Sequence, residues 1–305
     1  MELNPVPRIA ACSFRPARLA RAPCVVTGNV DAWPALHRWQ PAYLKTAVGA
    51  RKVAVREVSG APRNVYQNML AGGKILFSDY LDWVLEIAGS EDILAIAAAG
   101  ADTAQLIRAI GACGFESSYY LDVSLGGLSP LLLADTAVPP WFDPPPIDTI
   151  FWCGVLGTSS GLHADIKPNC NVQVFGNKTF IMFAPSQARW LYPMPRMTHC
   201  RFDPNLPDFE RFPLARRAVG WQCTLQAGES LYIPVGWYHQ VTVASPWAIN
   251  VNFFWPRPFP QGLATPQLWG QLVRRGWGSL WQAFANRRRL APNEEQRTLT
   301  GRGKE

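Results

Sequence analysis

CNVQVFGNKTFIMFAP, residues 170–185, is the stretch on which the reading of the fold turns. Two short runs rich in β-branched and aromatic residues flank the pair Gly176-Asn177, which marks two strands joined through a turn. The same grammar recurs on both sides. IDTIFWCG (147–154) stands upstream, and WQCTLQAG (221–228), SLYIPVG (230–236), HQVTVAS (239–245) and AINVNFFW (248–255) follow, with Gly228-Glu229 as a further turn. Many short strands with turn punctuation imply a sandwich or a closed barrel.

Outside this region the character changes. PPWFDPPP (139–146) is too proline-rich for regular structure and reads as a connector. Before it, the pattern is mixed: a strand in PCVVTG, a helix in PAYLKTAVGA, a strand in KVAVREV, then a helix in DYLDWVLEIAG with Ser78 as its expected N-cap, and another over 103–112. After the strands, helical spacing returns through Leu268, Leu272, Trp277, Leu280, Trp281 and Phe284, with Gly276 and Gly278 dividing two helices. The expected organisation is α+β and mainly β: an N-terminal α/β part (1–140), a β core (141–260), C-terminal helices (261–292) and a polar, disordered tail (293–305).

Composition is that of a soluble globular chain, with 48% hydrophobic and 17% charged residues and 13 tryptophans to fill a core. No uncharged apolar run reaches membrane-spanning length and no secretory pattern opens the sequence, so a cytoplasmic protein without a membrane partner is expected. The seven cysteines are odd in number, scattered and never spaced C-x-x-C, which reads as reduced thiols. A net charge of +7 permits a nucleic-acid partner, but much of the excess sits near the C-terminus, and no basic stripe interleaved with aromatics stands out in the sequence.

GLHADIKPN (161–169) carries a different signal. If LHADI is a strand, His163 and Asp165 project to one face and can share an ion, although H-x-D alone is a weak pattern. His239 in GESLYIPVGWYHQV (228–241) adds a third donor, delivered as the closing hairpin of a barrel would deliver it. Two histidines and one carboxylate form the facial triad of non-haem Fe(II) oxygenases, which leaves three positions open, whereas a structural zinc site is closed. Lys178 opens an apolar strand. It is either a solvated edge charge or the buried cation that a dicarboxylate cosubstrate such as 2-oxoglutarate requires.

Together, SGLHADIKPNCNVQVFGNKTFIMFAP, RWLYPMP, DFERFP and GESLYIPVGWYHQV…INVNFFW resemble the JmjC-like cupin oxygenases, the family of the asparaginyl hydroxylase that acts on hypoxia-inducible factor and of its bacterial relatives. The likeness is strong over 148–255 and weaker over 20–125. It implies a double-stranded β-helix (cupin, jelly-roll) barrel with an N-terminal α/β elaboration and C-terminal helices that make a homodimer. It further implies an Fe(II)- and 2-oxoglutarate-dependent dioxygenase, a hydroxylase consuming O2, with ascorbate as reductant in vitro. In that family pattern His163, Asp165 and His239 hold the iron and Lys178 pairs with the C5 carboxylate of 2-oxoglutarate. Tyr120, or Tyr119 with the register shifted by one, and Ser160 complete that carboxylate's hydrogen bonds. Asn169 and Asn252 match amides lining the cosubstrate and iron region. Ser160 and Asp122 depart from the pattern, standing where the hypoxia-factor enzyme has threonine and a peptide-contacting glutamine, so the resemblance does not carry over its substrate. A protein or peptide side chain is the expected substrate class. A free amino acid, a peptide natural product and an RNA base are the alternatives, as is a metal-binding cupin module without catalysis.

Overall fold

A computed structural model of the protein describes residues 1–15, 22–59, 69–99, 117–139, 145–194 and 198–256. The helix expected over 103–112, the C-terminal helices and the tail lie outside these residues. Within them, strands β1 (Glu2–Pro5), β11 (Val219–Leu225), β10 (Lys178–Phe183), β13 (Tyr238–Val243) and β8 (His163–Ala164) form a five-stranded sheet in that order. A nine-stranded sheet runs β2 (Arg8–Ala10), β3 (Cys24–Thr27), β12 (Ser230–Ile233), β9 (Asn169–Phe175), β14 (Trp247–Phe254), β7 (Asp148–Val155), β6 (Ser117–Ser124), β4 (Lys52–Ser59), β5 (Met69–Leu76).

Apart from β10 and β11, which pair in one sheet, consecutive strands of the core alternate between the two: β7 to β8, β9 to β10, β11 to β12 and β13 to β14 each cross from one to the other. This winding is the β-rich jelly roll of a cupin barrel. Gly176-Asn177 is therefore a corner between sheets. Gly176 has φ +65°, and a Cβ there would collide with the Trp247 carbonyl and Ser245 Oγ. Asn177 N–H donates to Ser245 Oγ at 2.8 Å and Ala244 N–H donates to the Asn177 carbonyl at 2.9 Å, so the corner is locked to the turn that carries β13 into β14. The closing hairpin expected around His239 is also a crossing, because β12 and β13 belong to opposite sheets.

Residues before the core complete the same sheets. β1 pairs parallel to β11, β2 parallel to β3, and β6 joins β7. The helix Phe77–Ala88 packs its buried Phe77, Tyr80, Leu81 and Val84 into one cluster with Phe151 of the larger sheet and with Trp39 and Leu44 from the helical segment before β4. Its start differs from the sequence expectation: Ser78 lies inside the first turn rather than at the cap. Phe77 N–H donates to the Arg51 carbonyl at 2.8 Å and Ser78 N–H to the Gly49 carbonyl at 3.1 Å, so backbone acceptors replace a side-chain cap. The described cysteines are free thiols, buried except for the exposed Cys12; Cys113 lies outside the described residues. No helix among the described residues is long and apolar enough to cross a membrane.

Candidate metal centre

His163 and His239 are direct partners in the antiparallel pairing of β8 with β13, and their ring centroids lie 4.3 Å apart. Each ring is tied to its own strand by the same device. His163 Nδ1 lies 2.9 Å from the Gly161 carbonyl and His239 Nδ1 lies 3.0 Å from the Trp237 carbonyl. A carbonyl only accepts, so both Nδ1 atoms carry the proton and both Nε2 lone pairs remain for a ligand. Burial first, then the neighbouring His239, hold the His163 imidazole down to about 4, which keeps it neutral at physiological pH.

Asp165 does not share the strand with His163, because β8 ends at Ala164. It sits in the following turn, whose backbone is fastened by the Gly236 N–H donating to the Asp165 carbonyl at 3.0 Å. Asn169 Nδ2 donates to Asp165 Oδ2 at 2.8 Å, and that oxygen lies 3.6 Å from His239 Nε2. One donor atom from each of His163, Asp165 and His239 falls within 4.8 Å of the others.

The three face a cavity of about 190 Å³ that is also lined by Tyr120, Trp152, Ser160, Asn171, Lys178, Val241, Asn250, Asn252 and Phe254. Lys178 is 2% exposed, bonded to Asn250 Oδ1, with the Tyr120 ring centroid 6.0 Å from its ammonium. Among the described residues no carboxylate pairs with it, and burial pushes its pKa down to about 7. His239 pairs with Met182, four residues along β10 from Lys178, which separates the triad from the cation by roughly 13 Å of strand. The cavity thus has metal donors at one end and an unneutralised cation at the other.

The other expected residues divide. Tyr120, Ser160 and Asn252 line the cavity. Ser160 Oγ accepts from Val241 N–H at 3.0 Å and lies 3.2 Å from the Gly161 carbonyl, and Asn252 Oδ1 accepts from Asn250 at 2.6 Å. Asn169 is buried beside the cavity and spends its amide on Asp165. Asp122 is held by both nitrogens of an Arg56 fork. Sequence reasoning missed Asn171, Asn250, Trp152 and His199. The first two had a signal: amides on alternate positions of NCNVQV and INVN, in strands otherwise apolar, mark the polar inner face of a pocket. His199 had none. Its ring stacks on His163 at 5.3 Å and 16° because the segment around it pairs with the edge of β8, Ala164 N–H donating to the Thr198 carbonyl at 3.0 Å.

Comparison with known proteins agrees with this architecture. Residues 11–261 match the family described as cupin-like domain. Jumonji C domain-containing protein 5 of Drosophila melanogaster is 28% identical over 246 residues, covering 77% of this chain and 55% of the fly protein, so the chain spans about half of that relative. tRNA wybutosine-synthesizing protein 5 of Gallus gallus is 26% identical over 237 residues, 77% of this chain and 70% of the relative. The human protein named bifunctional peptidase and (3S)-lysyl hydroxylase JMJD7 is 24% identical over 283 residues, 83% of either chain. The family match takes in every core strand together with β3 through β6, and the chain accordingly belongs to the cupin-like domain family, in the company of JmjC-type proteins.

Proposed function

We propose that the chain is an Fe(II)- and 2-oxoglutarate-dependent dioxygenase that hydroxylates a C–H bond, on a protein or peptide side chain. The observation that carries this reading is the pairing of two features in one cavity: three metal donors within 4.8 Å of one another, and a buried lysine without a carboxylate partner among the described residues. Two imidazole nitrogens and one carboxylate suit a ferrous ion and leave coordination positions open. When bound, iron with 2-oxoglutarate and O2 supplies the oxidising power for attack on an unactivated C–H bond.

The chain's own residues do the rest. The Gly161 and Trp237 carbonyls fix the imidazole tautomers and aim both Nε2 atoms inward. Asn169 steadies the Asp165 carboxylate at the more open edge of the site. Lys178 would neutralise the distal carboxylate of the cosubstrate, beside Tyr120 and Ser160, in surroundings dry enough to make that charge pair strong. A metal-binding module without catalysis has no use for a cation at that depth, which favours the enzyme reading. Relatives named for lysyl hydroxylation and for tRNA modification support oxygenase chemistry and leave the substrate class to experiment. The homodimer is part of the same proposal and rests on the family resemblance, which implies that the C-terminal helices make it.

The test is incubation of the purified protein with a peptide digest, Fe(II), ascorbate and 2-oxoglutarate, followed by mass spectrometry. A gain of one oxygen on specific peptides, absent without 2-oxoglutarate, is the expected result. Oxygen gained on RNA or metabolites while peptides stay unchanged would overturn the substrate class.

A further inference from the structure

The excursion between β10 and β11, described over residues 184–194 and 198–218, folds into a lobe on the outer side of the five-stranded sheet. Its core of Leu191, Phe202, Phe212 and Ala215 packs on Leu162, Ala164 and Tyr238, the neighbours of the two histidine ligands on the opposite strand face. From residue 185 to 218 the sequence has six arginines and no lysine, against three acids. Asp203 and Asp208 turn their carboxylates to Gln240 and to the backbone of Glu210 and Arg211.

Four of the arginines are exposed and lie over aromatic rings. Arg189 and Arg217, from the 3-10 helices Pro185–Trp190 and Pro213–Arg217, share Trp190 at 4.4 and 5.3 Å. Arg216 covers Phe209 at 4.8 Å and Arg211 covers Phe212 at 5.2 Å. None of the four is in an ion pair among the described residues. Two of these pairs, Arg189 with Trp190 and Arg211 with Phe212, are neighbours in the chain, whereas Arg217 over Trp190 and Arg216 over Phe209 join separate segments that only the fold brings together.

We propose that this arginine-clad surface binds a single-stranded nucleic acid, with phosphates on the guanidinium edges and bases on their outward faces. A guanidinium resting over a ring keeps edge donors for phosphate oxygens, and its planar group stacks on bases as well as on aromatic rings. An acidic peptide needs the charge but not the plane, and a duplex offers no base faces to stack. The strand fits both properties of the surface, the unneutralised charge and the planar guanidiniums gathered with aromatic rings.

The experiment is fluorescence anisotropy of an end-labelled, mixed-sequence 12-nucleotide single strand (roughly the span of one single-strand site) titrated with the full chain. Four phosphate contacts predict a slope of log affinity against log salt of about −3. The double variant Arg189→Lys with Arg217→Lys keeps the charge and loses the planes. It is expected to bind on the order of tenfold more weakly with the slope retained. Both side chains are exposed, so the fold is not at stake. Wild-type affinity in this double variant would put the strand elsewhere on a basic chain and overturn the proposal. So would absence of binding at about 50 mM salt, or equal affinity for a labelled poly-glutamate peptide. The outcome does not depend on turnover of 2-oxoglutarate in the cavity.

Discussion

Among single residues, Lys178 sits buried in the cavity wall away from the three candidate ligands. A lysine held at about 7 in the folded chain binds fewer protons than the same lysine unfolded, whose ordinary value is 10.5. Stability of the ligand-free protein therefore rises as pH increases from about 7 towards 10.5, and is lost as pH falls back through the folded value. Melting temperature measured across that window should show the rise, and Lys178→Met should flatten it. The same variant should weaken 2-oxoglutarate binding by roughly two orders of magnitude or more, since a buried charge pair loses a partner, while leaving metal affinity nearly unchanged. In the wild type, a dicarboxylate restores the lysine's charge, so cosubstrate binding at pH 8 should take up a proton. Calorimetry in buffers of different ionisation enthalpy reads that uptake; its absence would remove Lys178 from the carboxylate. Asn169→Ala, which takes the amide from Asp165, should cost about 10- to 100-fold in metal affinity. The candidate ligands and Lys178 were legible in the sequence because rare residue types stood at turn-defined positions. His199 was not, since what places it is pairing between segments far apart in the chain.

At the scale of elements, the corner at Gly176 joins the two halves of the site, ending the strand that carries Asn171 and opening the one that carries Lys178. Gly176→Ala forces a side chain into positive φ against the Trp247 carbonyl. A loss of about 1–3 kcal/mol in denaturant-induced unfolding is expected. The strands of the core were readable from alternation and turn residues, from CVVT through WAINVNFF. Which strands pair was not, because the pattern of apolar residues gives a strand's inner face and says nothing of its sheet. Glu2–Pro5 and Arg8–Ala10 escaped notice for another reason: they are short, polar at alternate positions and bordered by proline, and only a parallel partner makes strands of them. Ser78 failed as a cap because the carbonyls of Gly49 and Arg51 reached the helix start from a distant turn.

For the whole molecule, the two sheets enclose a cavity whose ends are chemically unlike; β1 and β8 form the edges of the smaller sheet, and β2 and β5 those of the larger. The proposed homodimer is tested by mass in solution. Light scattering should return twice the 33.9 kDa chain mass at micromolar concentration, and a value equal to the single chain would refute the dimer. The central claim is that His163, Asp165 and His239 hold a working ferrous ion beside 2-oxoglutarate, and its most direct test is succinate formation without substrate. With Fe(II), ascorbate and 2-oxoglutarate, the wild-type chain should release succinate above the rate of iron alone, and Asp165→Ala should fall to that background while melting as the wild type does. Succinate formed at the wild-type rate by Asp165→Ala, or none formed by either protein, would contradict it.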